Sequence, residues 1–146
     1  MSAGLRALTP REASIFACLT DTVVAPEPVL PAVRETDAVE FFDDWMARSP
    51  RLNRSGMRAL LYVLELSPLA TGFRTRLRRL DRDARERWVH AIERAPRPEL
   101  RLVFKLLKSA AQLSYWGDDA LMLRVGYDAD ANVRRGRELR AREGRP

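Results

Sequence analysis

The segment PELRLVFKLLKSAAQLSYW, residues 98–116, decides the fold because it forms a helix that is apolar around most of its circumference. At 100° per residue, four of the polar side chains fall within a strip of about 60°. They are Arg101, Lys105, Lys108 and Gln112. Leucine, valine, alanine and aromatic residues cover most of the remaining surface. A helix of this kind is buried on several sides, so we predict that it forms the centre of a helical bundle.

Helical periodicity continues through most of the remaining chain, and no stretch shows the sustained alternation of a strand. Thr9-Pro10-Arg11-Glu12 is a capping box with proline at the first helical position, so a helix begins there. It must end by Ala25, because the prolines that follow cannot continue it. Pro26–Thr36 is then an ordered, extended loop.

Two further helices are predicted between residues 37 and 68. The first begins at Asp37 and ends at Ser49-Pro50. It turns four large side chains inward: Phe41, Phe42, Trp45 and Met46. Asn53 caps the second helix, which ends at a turn formed by Ser67-Pro68.

The segment from Phe73 to Ala91 keeps its apolar residues within an arc of about 80°. It is either one long helix or two pieces with Asp81 as the cap between them. A second stripe on the neighbouring face is basic and consists of Arg74, Arg78, Arg82 and Arg85. This basic stripe is either a solvated face balanced by Asp and Glu or a docking stripe for an acidic partner surface.

A short helix is predicted after residue 116. Gly117 and Asp118 introduce it, and it covers Asp119–Val125. Gly126 is suited to the left-handed residue that follows a helix end. The predicted fold is therefore all-α, a compact bundle of about five to seven helices.

The net charge of +6 is concentrated in two clusters. Residues 74–87 and residues 134–146 each carry +4, and the rest of the 146-residue chain carries −2. Only two of the basic residues are lysines. A GC-rich genome produces such a bias toward arginine without any selection for phosphate binding. The length predicts one domain, residues 1–128. Residues 129–146 have too little apolar content to fold alone, so we expect a flexible Arg-rich tail.

The content of cysteine and histidine argues against disulfides and common metal sites. Cys18 and His90 are each the single residue of their kind, so we expect no internal disulfide and no His/Cys zinc site. The longest apolar run, Ala59–Leu64, is far shorter than the roughly 20 residues of a membrane span. With no secretory or twin-arginine signal in the sequence, we expect a cytoplasmic protein, or one exported together with its partner.

The sequence contains no recognisable catalytic constellation. Its glycines form no phosphate-binding loop. We predict that His90 is a half-buried helical residue and that Cys18, with no cation nearby, belongs to the core. Asp118-Asp119 lies where a helix N-terminus favours negative charge. We therefore expect no enzymatic activity from this chain alone.

Large aromatic residues are numerous, and those near residue 120 are the most unusual. The stretch begins Tyr115-Trp116-Gly117-Asp118 and continues to Gly126-Tyr127-Asp128. Tyrosine and tryptophan are enriched in interface anchors, so this cluster is either bundle core or a partner contact. The candidate interface residues are Tyr115, Trp116, Asp118 and Tyr127, together with the basic stripe Arg74, Arg78, Arg82 and Arg85.

Residues 104–128 resemble the C-terminal signature of the gluconate 2-dehydrogenase subunit 3 family. In that signature a helix ends in an aromatic pair, which is Tyr115-Trp116 in this sequence. The pair is followed by Gly-Asp, by a short helix and then by Gly-Tyr. The opening residues, Leu8–Glu12 with Leu19–Pro26, are similar to the opening of the family. The likeness covers most of residues 5–128.

The resemblance implies a small, all-helical accessory subunit with no cofactor of its own. Such subunits pair with a flavoprotein large subunit of the glucose-methanol-choline oxidoreductase type, which carries FAD and the catalytic residues. The implied function is to bind and stabilise that large subunit in a hetero-oligomer. The large subunit would act on a sugar, alcohol or sterol-like substrate, and this chain would bind no small-molecule substrate.

Two features depart from the family. Many members carry a twin-arginine export signal that this sequence does not show, and the Arg-rich tail beyond Asp128 has no counterpart. The alternative function is a basic helical module that binds nucleic acid or another acidic partner through its Arg clusters. The chain-wide charge distribution favours the protein partner over nucleic acid.

Overall fold

The computed structural model describes residues 4–144, and all regular structure in that range is helical. Two 3-10 turns, Val33–Glu35 and Leu77–Arg79, lie between longer elements. The seven α-helices of the described range are α1 Pro10–Val24, α2 Ala38–Arg48, α3 Arg51–Ala70, α4 Arg82–Glu93, α5 Pro98–Trp116, α6 Asp119–Arg124 and α7 Ala129–Arg142. The predicted all-α bundle of five to seven helices is confirmed.

Helix α5 is the centre of the bundle, as the sequence predicts. It packs against α1, α2, α3, α4 and α6. Its inner face presents Phe104, Leu107 and Ala111 to the core. The burial is less complete than predicted, because a line of large side chains on the opposite face of α5 is exposed in the described structure.

Polar side chains close the N-termini of α1 and α4. In the predicted capping box of α1, the Glu12 amide donates to the Thr9 hydroxyl (3.3 Å) and the Thr9 amide donates to the Glu12 carboxylate (2.8 Å). Asp81 caps α4 by accepting from the Ala84 amide (2.8 Å). The two-piece alternative for residues 73–91 is therefore correct, although the first piece is only a 3-10 turn.

Helix α3 is longer at both ends than the sequence predicts. It begins at Arg51, so Asn53 lies inside the helix and is not its cap. It also continues through the predicted turn at Ser67-Pro68. Pro68 has no N–H to donate to the carbonyl of Leu64, and the Ser67 hydroxyl donates to that carbonyl instead (2.8 Å). This bond lets the last turn of the helix form around the proline.

Aromatic side chains from four helices fill the main core. Phe16 of α1 and Phe42 of α2 stack with ring centroids 3.8 Å apart. Trp88 of α4 meets Phe104 of α5 edge to face, with centroids 5.4 Å apart. The Trp88 indole N–H donates to the Ser67 hydroxyl (3.1 Å), so this polar group is satisfied within the core.

Helix α2 buries only half of the aromatic face that the sequence predicts for it. Phe42 and Met46 are buried, but Phe41 and Trp45 are about half exposed. Neighbouring positions on a helix point about 100° apart, whereas positions four apart share a side. Because α2 lies at the surface of the bundle, one of these two pairs faces the core and the other faces outward.

The C-terminal segment forms a regular helix, which the sequence did not predict. Asp128 caps α7 by accepting from the Ala131 amide (2.9 Å). No residue of α7 is buried, so local hydrogen bonds rather than packing against the bundle define this helix. The flexibility of the Arg-rich tail stays a prediction, and its last arginine, Arg145, lies outside the described residues.

Candidate partner interface

Tyr115 belongs to the core, so its assignment to the interface is wrong. Its ring is fully buried in a small cluster with Val33, Ala38 and Leu121. The hydroxyl donates to the Pro31 carbonyl (2.7 Å), which ties α5 to the loop before α2. Burial raises the pKa of the Tyr115 hydroxyl above its ordinary value. Of the two alternatives for this aromatic cluster, the core one is correct at this position.

The local structure explains why glycine and aspartate occupy positions 117 and 118, directly after α5. An added Cβ on Gly117 would lie 2.7 Å from the Leu113 carbonyl oxygen, so a side chain cannot be accommodated without a backbone shift. Asp118 caps α6 by accepting from the Leu121 amide (3.0 Å), and the Asp37 amide also points at its carboxylate (3.5 Å). The turn itself therefore explains Gly117 and Asp118, whatever further role they serve.

Trp116 and Tyr127 are the predicted aromatic interface residues that lie at the surface. Trp116 is 39% exposed and Tyr127 is 48% exposed. Both line an open groove of about 630 Å³ between the end of α5, α6 and the start of α7. Gly126 adopts the predicted left-handed conformation, with φ of 80°, immediately before Tyr127. These two aromatic side chains remain candidates for contact with a partner.

A long apolar line runs along the outer face of α5, where the sequence predicts core. Leu102 is 57% exposed, Leu113 is 70% exposed and Leu106 is about half exposed. We call the line formed by Leu102, Leu106, Ser109, Leu113 and Trp116 the α5 seam. These residues follow one another at alternating intervals of four and three positions, so they form one row on the same face of the helix. This spacing is visible in the sequence and is the signal that could have identified the surface.

Phe41 of α2 extends the α5 seam. Its ring lies 3.9 Å from the position that a Cβ on Gly117 would occupy. Phe41 and Gly117 line one depression, and Gly117, Leu113 and Trp116 line the next. Asp37, Asp118 and Asp119 line the first of these depressions as well. The exposed surface therefore continues from α5 to Phe41 across Gly117, with acidic side chains at its edge.

The four arginines of the predicted docking stripe do not form a helical stripe. Arg74 and Arg78 precede α4, whereas Arg82 and Arg85 lie on it. Arg74 and Arg82 are exposed, but Arg78 and Arg85 are partly buried. Only the two exposed side chains are positioned to meet a partner without rearrangement.

Arg78 and Arg85 instead connect helices of the bundle. The Arg78 guanidinium pairs with Glu65 of α3 (3.0 Å), whose carboxylate is fully buried, and the Arg78 amide also donates to that carboxylate (3.3 Å). Arg85 pairs with Asp21 of α1 (3.1 Å) and donates to the Leu80 carbonyl (3.1 Å). A buried carboxylate needs its partner, so we assign Arg78 to folding.

Asp43 also has a structural task. It accepts from the backbone amides of Arg6 (2.7 Å), Ala7 (3.0 Å) and Leu8 (2.7 Å), and so fixes the segment before α1 against α2. Burial raises the pKa of the Asp43 carboxyl, but these three N–H donors outweigh burial and hold the pKa below its ordinary value.

The groups that could take part in catalysis do not converge on a site. His90 is exposed on α4 rather than half-buried as predicted. Burial raises the pKa of the Cys18 thiol, although the nearby Arg85 opposes the shift. Among residues 4–144, no group of three or more His, Cys, Asp or Glu side chains could hold a metal ion.

No family model, curated protein or solved structure matches the chain. In the described range, no helix is long and apolar enough to cross a membrane. The surface formed by the α5 seam and Phe41 is therefore the feature of the structure from which a function can be argued.

Proposed function

We propose that this chain is a non-catalytic small subunit that binds and stabilises an FAD-dependent large subunit of the glucose-methanol-choline type. The observation that carries the proposal is the apolar surface formed by the α5 seam and Phe41. A contiguous exposed apolar surface on a soluble domain is typical of an interaction site. Trp116 also belongs to residues 104–128, which resemble the C-terminal signature of the small-subunit family.

The proposal divides the chemistry between the two subunits. The large subunit supplies FAD and the catalytic residues, and this chain supplies binding surface. Trp116 and Phe41 are suitable anchors, because large aromatic side chains dominate the binding energy of many interfaces. Binding to the folded large subunit, and not to its unfolded form, would stabilise it by mass action.

Co-expression with a flavoprotein large subunit of the glucose-methanol-choline type from the same genome tests the proposal. We expect a stable hetero-oligomer that contains FAD and buries on the order of 1,600 Å² or more. Light scattering after size exclusion measures the complex, and flavin absorbance measures its cofactor. The variants Trp116→Asp and Phe41→Asp should weaken the complex. The control is Leu52→Asp, at an 83% exposed position of α3 outside the proposed surface.

Two results would contradict the proposal. The flavoprotein could be equally soluble and active when this chain is absent. Alternatively, Trp116→Asp and Phe41→Asp could leave the complex as stable as Leu52→Asp does, which would show that the apolar surface is not the contact.

A second candidate function rests on α7. Five arginines project from this helix and are all exposed: Arg134, Arg135, Arg137, Arg140 and Arg142. Such a helix would bind nucleic acid or another acidic partner, with an affinity that falls steeply as salt increases. Replacing Arg134 and Arg137 by glutamine should then reduce binding to a labelled duplex, whereas the same change at the exposed Arg79 and Arg87 should not. Equal binding by both double variants would reject this candidate.

A further inference from the structure

We infer that the α5 seam receives one amphipathic helix of the partner protein, whose apolar residues are flanked by acidic side chains. This inference rests on the proposed function and names the element through which the partner makes contact. It follows from the spacing of the α5 seam, from the depression at its end and from the charges beside it.

The spacing of the α5 seam matches a packed helix. Intervals of four and three residues are those of the a and d positions of a heptad, which face a neighbouring helix along its whole length. From Leu102 to Trp116 the α5 seam is about 21 Å long at 1.5 Å per residue. A partner helix of about four turns covers it. The apolar residues of a second helix can repeat at the same spacing, so they stay opposite the residues of the α5 seam along its whole length.

The C-terminal end of the α5 seam offers a place for a large side chain. A depression of about 510 Å³ opens there and is lined by Ser109, Gln112, Leu113, Trp116 and Gly117. Ser109 and Gly117 carry small groups between the larger Leu113 and Trp116. A bulky apolar residue of the partner helix fits between them, as a knob in a hole.

The charges beside the α5 seam select an acidic flank. Lys105 lies directly next to the seam and is exposed, and it has no ion pair within the described structure. Arg101 is exposed on the same side one turn earlier, and its guanidinium donates to the Ala95 carbonyl. The opposite flank has the apolar Val103 and Ala110 at its middle and the exposed Glu99 one turn before Val103. Glutamate or aspartate on one side of the partner helix therefore complements α5.

A second copy of the chain fits the α5 seam less well. In an antiparallel pair that covers the whole α5 seam, the two helices cross at Ser109 and the same flank of each copy meets. Lys105 then faces Gln112 of the other copy, which offers no negative charge. In a parallel pair Lys105 would lie against Val103 and Ala110, which offer no side-chain acceptor.

Helix α7 of the same chain is also a poor occupant. Its two large apolar residues, Val133 and Leu139, are six positions apart and point to different sides of the helix. Its arginines would in addition meet Arg101 and Lys105.

Two stapled helical peptides of about 16 residues test the inference, because stapling removes the cost of forming the helix. Both carry leucines at the four-three spacing, one with glutamates on the flank and the other with lysines. Fluorescence anisotropy of each labelled peptide with the full chain measures affinity. We expect the glutamate peptide to bind on the order of tenfold more tightly at low ionic strength. Added salt should reduce this ratio.

Variants of the chain locate the contact. Leu113→Asp should weaken both peptides about tenfold or more, and the control Leu52→Asp should not. Lys105→Glu should remove the preference for the glutamate peptide. The matched control Arg79→Glu, at an exposed position of the 3-10 turn before α4, should keep it.

Several outcomes would overturn the inference. They are no binding of the glutamate peptide, equal binding of the two peptides, and no effect of Leu113→Asp. A dimer of the chain that Leu113→Asp abolishes would assign the α5 seam to a second copy and overturn it as well. The peptide assay contains no flavoprotein. A negative result in it therefore contradicts this inference alone, whereas the proposed function is tested separately by formation of the flavoprotein complex.

Discussion

Leu106 and Leu107 are neighbours on α5 with opposite surroundings. Leu107 is fully buried in the main core, whereas Leu106 is about half exposed on the α5 seam. The residue type and the helix are the same, so apolar content does not distinguish core from interface. The difference is whether this chain supplies a helix on that side of α5. Where it does not, the exposed leucines indicate a place for a partner.

The same contrast separates charged residues that look equivalent in the sequence. Arg78 holds the buried carboxylate of Glu65, but Arg82 is exposed. Asp43 binds three backbone amides, but its neighbour Asp44 is about half exposed and makes surface ion pairs. In each pair, one residue maintains the fold and the other contributes little to it.

The largest expected effect separates the two faces of α5. Leu107→Ala leaves a cavity in the core and should lower the free energy of unfolding by about 3 to 4 kcal/mol. Leu106→Ala removes contacts that are largely with solvent and should cost less than about 1 kcal/mol. Denaturant unfolding followed by circular dichroism measures both. Similar losses for the two variants would show that the α5 seam is as well packed as the core.

An intermediate effect is expected from the arginines. Arg78→Ala leaves the Glu65 carboxylate buried without its cation. The loss should be about 2 to 3 kcal/mol, below that for a fully buried pair, because Arg78 is partly exposed and its backbone amide still donates to Glu65. Arg82→Ala should change stability by less than about 0.5 kcal/mol. Thermal unfolding of the two variants makes the comparison. An equal loss of stability for Arg82→Ala would contradict this comparison, because it would mean that Arg82 also makes a contact that stabilises the fold.

Local signals in the sequence predict several of the helix boundaries, although not those of α3. Thr9, Asp81 and Asp118 each cap a helix through a hydrogen bond to an amide three residues away, so the information lies within one turn. Pro98 at the start of α5 and Gly126 after α6 act at the same short range. The boundaries of α1 and α5 could therefore be assigned without knowledge of the packing.

Features that depend on distant neighbours could not be predicted in this way. Periodicity identifies Phe41 and Trp45 as apolar positions of α2 but does not say that the bundle leaves them outside. The Glu65–Arg78 pair forms between α3 and the 3-10 turn that follows it, which a helical wheel of residues 73–91 cannot show. The path of α3 through Pro68 depends on one hydroxyl, that of Ser67.

The smallest expected effect compares Asp43 with Asp44 and depends on pH. The folded-state pKa of Asp43 lies below its ordinary value near 3.8, because three amides donate to the ionised form. Its stabilising contribution is therefore complete above the ordinary pKa and is lost as the pH falls through the lowered folded-state pKa.

Substitution of the two aspartates should reveal this dependence. Asp43→Asn should cost about 1 to 2 kcal/mol at neutral pH. The cost should shrink as the pH falls from the ordinary aspartate pKa through the lowered folded-state pKa, because the unmodified side chain then loses its charge. Asp44→Asn is the matched control and should cost little at any pH, since exposed ion pairs contribute little. Urea unfolding across the acid range measures both. A constant cost for Asp43→Asn would mean that the shape of the side chain, and not its charge, holds the segment before α1.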